Sequence, residues 1–194
     1  MKNRQLEVSD YGLYLSSTDK INSFLKEEKI RSKKILSFFQ NNHNKYLKSI
    51  GQGAWLPILP IDSVEYTIEI NKTLNKDWIE VHRIEGFNLE VGEDNSLWVG
   101  SLSNLHNWES KDYTSDKDFN SYETLDGELC YGSLRFDITK GKYLVDVIGY
   151  KRKEELEYPN ANFGFSFILK EVEELFGYKD PREDDKYDFN IAEM

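Results

Sequence analysis

From residue 64 the chain reads VEYTIEI, in which Val64, Tyr66, Ile68 and Ile70 alternate with Glu65, Thr67 and Glu69. A period of two predicts an antiparallel strand with one buried and one wetted face. WIEVHRI (78–84) and FNLEV (87–91) repeat the pattern on either side of Glu85-Gly86, where a glycine within strand periodicity predicts a bulge or short turn. Gly92 to Ser96 read as a tight turn into LWVGSL, so these segments together are expected to form a meander. In LCYGSLRFDITKGKYLVDVIGY (129–150), a two-residue loop at Lys140-Gly141 would set Phe136 opposite Val145, Leu134 opposite Val147 and Arg135 opposite Asp146. Apolar meets apolar and plus meets minus, which predicts a hairpin.

Helical spacing flanks this region. Residues 18–48 contain no Gly or Pro and place Ile21, Phe24 and Leu25, then Ile35, Leu36, Phe38 and Phe39, at helical intervals. The charged KEEKIRSKK between the clusters argues for two helices, the first capped by Ser17 or Thr18. Near the other end, Ile168, Val172, Leu175 and Phe176 with glutamates between them predict a helix over about 165–177, stopped by Gly177 and Pro181. The residues after it, 180–194, are expected to be loose. The expected fold is α+β: one domain over 1–194, helical at 18–48, with an antiparallel sheet of about five or six strands over 64–150 and the C-terminal helix packed on it.

A chain of 194 residues can bury roughly 70% of its extended surface, and 14% aromatic content gives it the means to do so. The most apolar window, AWLPILPI (54–61), is short and broken by Pro57 and Pro60, so no membrane partner is expected. The single cysteine, Cys130, permits no intramolecular disulfide and suits a reducing compartment, which predicts a cytoplasmic protein. The net charge of −10 is uneven: residues 1–50 hold ten basic against five acidic residues, and residues 51–194 hold fifteen against thirty. A field of that sign repels nucleic acid and anionic lipid and attracts basic proteins.

Few chemical signatures survive inspection. Asp116, Asp118 and Asn120 match the first three ligand positions of a calcium loop, but the turn glycine is replaced by Ser121 and the bidentate glutamate by Gly127. No metal is expected. GQG (51–53) follows no strand and lacks a third glycine, so it predicts no dinucleotide, and no other cofactor is called for. Ser17-x-x-Lys20 lacks the partner motifs of the penicillin-recognising enzymes. Cys130 shares strand parity with Leu134 and Phe136 and reads as a small buried hydrophobe. Among His43, His82 and His106, His106 is the most loop-like, and a pocket around it with Trp108 or Trp55 is the place to look for a small hydrolase or ligand-binding site. No residue is assigned a catalytic role.

What stands out is ESKDYTSDKDFNSYETLDGE (109–128), with seven carboxylates and two lysines in one long connection. Trp108, Tyr113, Phe119 and Tyr122 supply contact area there, while Glu109, Asp112, Asp116, Asp118, Glu123 and Asp126 supply steering towards Lys and Arg. The pattern predicts a surface for a basic protein partner. In its overall character, small, acidic, cysteine-poor and bearing this acidic-aromatic segment, the chain resembles the immunity proteins with which bacteria neutralise toxin domains. The resemblance implies stoichiometric inhibition of a basic toxin, often a nuclease, and transfers no individual residue. A structural or assembly subunit is a further alternative, recognisable by a large exposed apolar patch. Oligomeric state is not legible.

Overall fold

The computed structural model describes residues 4–183 and 186–194. It contains ten strands: β1 (Gln5–Glu7), β2 (Leu13–Ser16), β3 (Leu56–Ile58), β4 (Glu65–Ile70), β5 (Trp78–Val91), β6 (Ser96–Ser101), β7 (Phe119–Glu123), β8 (Leu129–Asp137), β9 (Gly141–Arg152) and β10 (Phe163–Val172). Three short helices, α1 (Thr18–Glu27), α2 (Ile35–Asn41) and α3 (His43–Gly51), lie between β2 and β3. The strands form two five-stranded sheets, ordered β1-β4-β10-β9-β5 and β3-β2-β6-β8-β7. The expected α+β fold with one sheet and a C-terminal helix is therefore replaced by a mostly β, two-sheet architecture.

The first correction concerns which strands are neighbours. β8 pairs with β6 and β7, whereas β9 pairs with β5 and β10, so the hairpin expected at Lys140-Gly141 does not form. The meander fails in the same way, since β5 and β6 belong to different sheets. At 92–95 and 138–140 the chain steps from one sheet to the other. Leu134 and Phe136 do meet the layer of Val145 and Val147, but across a shared core instead of side by side. Alternation in sequence is the same for lateral pairing and for face-to-face packing, which is why pattern alone selected the wrong arrangement. Arg135 pairs with Asp137 at 2.6 Å, while buried Asp146 pairs with Lys170 at 2.5 Å and accepts the Gly86 N–H at 3.1 Å. That N–H belongs to the predicted bulge: register shifts between Ile84 and Phe87, and Gly86 takes φ +80°.

The second correction concerns the C-terminal segment. FGFSFILKEV is a strand, inserted between β4 (parallel) and β9 (antiparallel). Its period of two decides the matter: Phe165 and Phe167 enter the inter-sheet core, while Ile168 packs with Trp78, Ile148 and Tyr150 on the opposite face. Nor is the tail loose in its described part, because Phe189 and Ile191 are fully buried beside Phe87 and Gly149.

In the second sheet, β2 and β6 are covered on both faces. Leu13, Leu15, Leu97 and Val99 point into the inter-sheet core, while Tyr14 and Trp98 point the other way, to Ile21, Phe24, Phe39, Tyr46 and Trp55 beneath the helices. Ser17 stands at the N-cap of α1 but gives its hydroxyl to Asp94 (2.7 Å); the Asp94 carboxylate instead accepts the Asp19 N–H at 3.3 Å, capping the helix from a neighbouring turn. Among the described residues no helix is long and apolar enough to cross a membrane.

The strand assignment of β10 can be checked at Gly164. A Cβ there would stand 2.7 Å from Leu74 and 2.9 Å from the Thr67 carbonyl oxygen. Gly164→Ala is expected to destabilise the protein by about 1–3 kcal/mol in urea denaturation, as overpacking does. A helical residue would instead gain up to about 1 kcal/mol from the same change.

Candidate functional site

The acidic-aromatic segment divides into two parts. Leu102, Leu105 and Trp108 recur every third residue; a 3-10 turn (Leu102–His106) eclipses the two leucines on one side, and Trp108 follows just beyond it. They therefore pack into the core beneath the helices, and Tyr113 follows after a second 3-10 turn (Ser110–Asp112). Trp108 and Tyr113 stack at 4.4 Å, Tyr113 meets Trp98 edge-on at 5.1 Å, and the Trp108 indole N–H donates to Asn22 at 3.0 Å. Glu109 pairs with Lys33. These three residues fasten the loop to the helical layer, the two rings buried and the Glu109 side chain 26% exposed, contrary to the expected grouping. That threefold spacing was the sequence signal that could have shown it.

The second part faces outward. Asp112 and Asp116 are exposed, and from Asp118 the chain enters β7, the terminal strand of its sheet. Phe119 (44% exposed) meets Tyr131 edge-on at 5.0 Å, and Tyr122 (49% exposed) lies opposite Cys130 in the ladder. Glu123 and Asp126 are exposed, Asp126 accepting the Thr124 hydroxyl at 2.5 Å, and Asp118 approaches Arg135 at 3.7 Å. Leu125, Leu129 and Tyr158 add further exposed apolar area nearby.

Beside this surface lies a cavity of about 410 Å³ that no single segment of sequence foretold. Its walls come from Glu7 on β1, Val64 and Glu65 at the start of β4, Thr124 and Glu128 in the β7–β8 turn, Cys130 on β8, and the loop from Tyr158 to Phe163. Gln5 holds that loop by donating to the Pro159 carbonyl at 3.3 Å, and Arg152 by donating to that of Ala161 at 2.9 Å. Glu7 and Glu65 are direct cross-strand partners, an arrangement in which like charges are destabilising. Burial, then the Glu7 and Glu128 carboxylates, raise the Glu65 carboxyl above its ordinary value. Burial and the neighbouring Glu7 push the Cys130 thiol up to about 12, so it is no nucleophile at neutral pH. Tyr158 donates its hydroxyl to Glu128. One oxygen of Glu7, Oε2, is buried without a hydrogen-bond partner.

No lysine, arginine or histidine lines the cavity among the described residues. His106 is exposed and contacts Asp10 at 2.9 Å, His43 stacks on Tyr46, and His82 keeps a buried, unpartnered Nε2 within β5. His106 and Trp108 do not share a pocket here: one faces solvent and the other the helical core. Among the described residues no three His, Cys, Asp or Glu side chains are grouped to hold a metal ion, so the carboxylates of the cavity are too dispersed to close on one. No family profile, curated protein or solved structure matches this chain.

Two measurements check this anatomy. Trp108→Ala should cost about 3–5 kcal/mol of stability, as for other buried large-to-small changes, whereas Phe119→Ser should stay within about 1 kcal/mol. In the folded state Glu65 keeps its proton to higher pH than in the unfolded chain, so its ionisation opposes folding. Stability should therefore lose a component as pH rises upward from the ordinary carboxylate value of 4.5. In thermal melts, Glu65→Gln should raise Tm at pH 7 and leave it nearly unchanged at pH 4.

Proposed function

We propose that this protein is a non-enzymatic binding protein of the cytoplasm that masks a basic protein partner, in the manner of immunity proteins that neutralise toxin domains. The observation that carries this reading is the juxtaposition of an acidic cavity, without internal counter-charge among the described residues, and an edge strand flanked by exposed rings and carboxylates. An edge strand offers unpaired backbone groups, Phe119 and Tyr122 offer contact area at low entropic cost, and Glu123 and Asp126 offer long-range attraction. The net charge of −10 adds steering towards a basic groove such as that of a nuclease. Self-association through the same face is opposed by its charge, since two copies would bring Glu123, Asp126 and the cavity carboxylates together.

The test is to search the neighbouring reading frames for a secreted protein and to co-express its C-terminal domain with this chain. A stoichiometric complex that relieves that domain's toxicity is expected. Glu123→Lys with Asp126→Lys should slow association about tenfold or more at low salt and reduce its salt dependence, while Asp112→Lys with Asp116→Lys should have a smaller effect. A complex indifferent to reversal at Glu123 and Asp126 would place the partner elsewhere.

A further inference from the structure

We infer that a second cavity, where α1 and the loop after α3 meet β5 and β9, is a binding site for a small zwitterion of dipeptide size, with a carboxylate at one end, an ammonium at the other and an apolar middle. None of the residues assigned to the partner surface lines it, so the inference stands apart from the reading of a basic partner.

The first argument is construction. The cavity holds about 380 Å³, within the roughly 300–1,000 Å³ of small-molecule sites. One wall is a single face of α1, on which Lys20, Ser23, Phe24 and Glu27 recur at helical spacing. The others come from the loop after α3, from Glu90 on β5 and Lys142 on β9, and from Glu174 and Leu175 just beyond β10. Both loops are fastened to β5. Buried Asn88 donates its side-chain amide to the carbonyls of Gly51 at 3.0 Å and Gly177 at 2.7 Å. Gly53 takes φ +67° and its carbonyl accepts the Glu90 N–H at 2.8 Å, an approach so close that a Cβ at Gly53 would stand 2.8 Å from that nitrogen. The walls are thus fixed before any ligand arrives, which lowers the entropic cost of binding.

The second argument is how the charges are matched. Glu90 and Lys142 are direct cross-strand partners and could neutralise one another. Instead Glu90 pairs with Lys20 of α1 at 2.8 Å. Half-buried Lys142 and the exposed Glu27 and Glu174 then take part in no ion pair among the described residues. A ligand carboxylate answers Lys142, a ligand ammonium answers Glu27 and Glu174, and apolar groups between them lie on Phe24, Ala54 and Leu175. A ligand with charge of one sign only would meet like charge in this lining. Phosphate is poorly served by the GQG loop, because the N–H groups of Gln52, Gly53 and Ala54 are spent on the carbonyls of Lys48, Ile50 and Ser49.

The experiment titrates the intact protein with L-leucyl-L-leucine while the backbone amide signals of Gly51, Gln52 and Leu175 are followed by NMR. Saturable shifts at all three are expected. N-acetyl-leucyl-leucine, which keeps only the carboxylate, and leucyl-leucine amide, which keeps only the ammonium, should each bind about tenfold more weakly, and the doubly blocked form more weakly still. These comparisons vary the ligand alone, so they decide the matter even where a substituted chain fails to fold. Lys142→Met should make the protein indifferent to amidation of the ligand, and Glu27→Gln with Glu174→Gln indifferent to its acetylation. Discrimination that survives in a folded variant would overturn the assignment of that end. Absence of saturable shifts with the zwitterion, or equal binding of the doubly blocked form, would overturn the site altogether. The strongest response from a singly charged form would also overturn it, and would assign the cavity to a simple anion or cation.

Discussion

The structure depends on the burial of two alternating apolar faces against each other. Leu13, Leu15, Leu97, Val99, Leu134 and Phe136 on one sheet, and Ile68, Phe87, Leu89, Val145, Val147, Phe165 and Phe167 on the other, form one continuous core. Each fully buried side chain of this kind contributes on the order of 1.5–3 kcal/mol. Neither sheet could satisfy its apolar face alone. That requirement makes the chain cross between sheets at 92–95 and 138–140 in preference to folding back as local hairpins. It also fixes the helical layer, because residues alternating with the core positions, Tyr14 and Trp98, must be covered from the other side.

Local features were legible because local physics decides them. VEYTIEI is a strand with Tyr66, Ile68 and Ile70 inside, and Gly86 is a bulge where the pattern lost its phase. Helices form at Thr18–Glu27, Ile35–Asn41 and His43–Gly51, three where two were expected, around the apolar clusters that recur at helical spacing. What sequence could not supply was the identity of each strand's neighbour, since a period of two does not distinguish a lateral partner from an opposing layer. FGFSFILKEV shows a different limit. Its spacing from Ile168 to Phe176 admits a helix, and only the sheet position that receives Phe165 and Phe167 selects a strand.

The same distinction runs through the candidate site. The acidity and aromatic content of residues 109–128 were plain in the sequence, but rings six positions apart, Tyr113 and Phe119, went to opposite fates. Trp108 and Tyr113 joined Leu102 and Leu105 in the core beneath the helices, while Phe119 and Tyr122 remained outside on an edge strand. Glu7, Glu65 and Glu128 lie on separate strands and turns, and they converge only because β1 pairs with β4 and approaches β8. A cavity assembled from such distant contributions has no linear signature. Its repulsion is tolerated because the two sheets beneath it hold the backbone in place.

The position of β10 has one more consequence. It is the middle strand of its sheet, seated between β4 and β9, yet nearly the whole chain precedes it. During synthesis, therefore, β4 and β9 must each wait with one unpaired edge, and the core positions of Phe165 and Phe167 must stand empty, until this late segment leaves the ribosome. Most of the sheet's contacts span long sequence separations, so final closure is intrinsically slow. The nascent protein passes through a sticky stage in which chaperone protection matters most, and truncation before residue 163 leaves that stage without an exit.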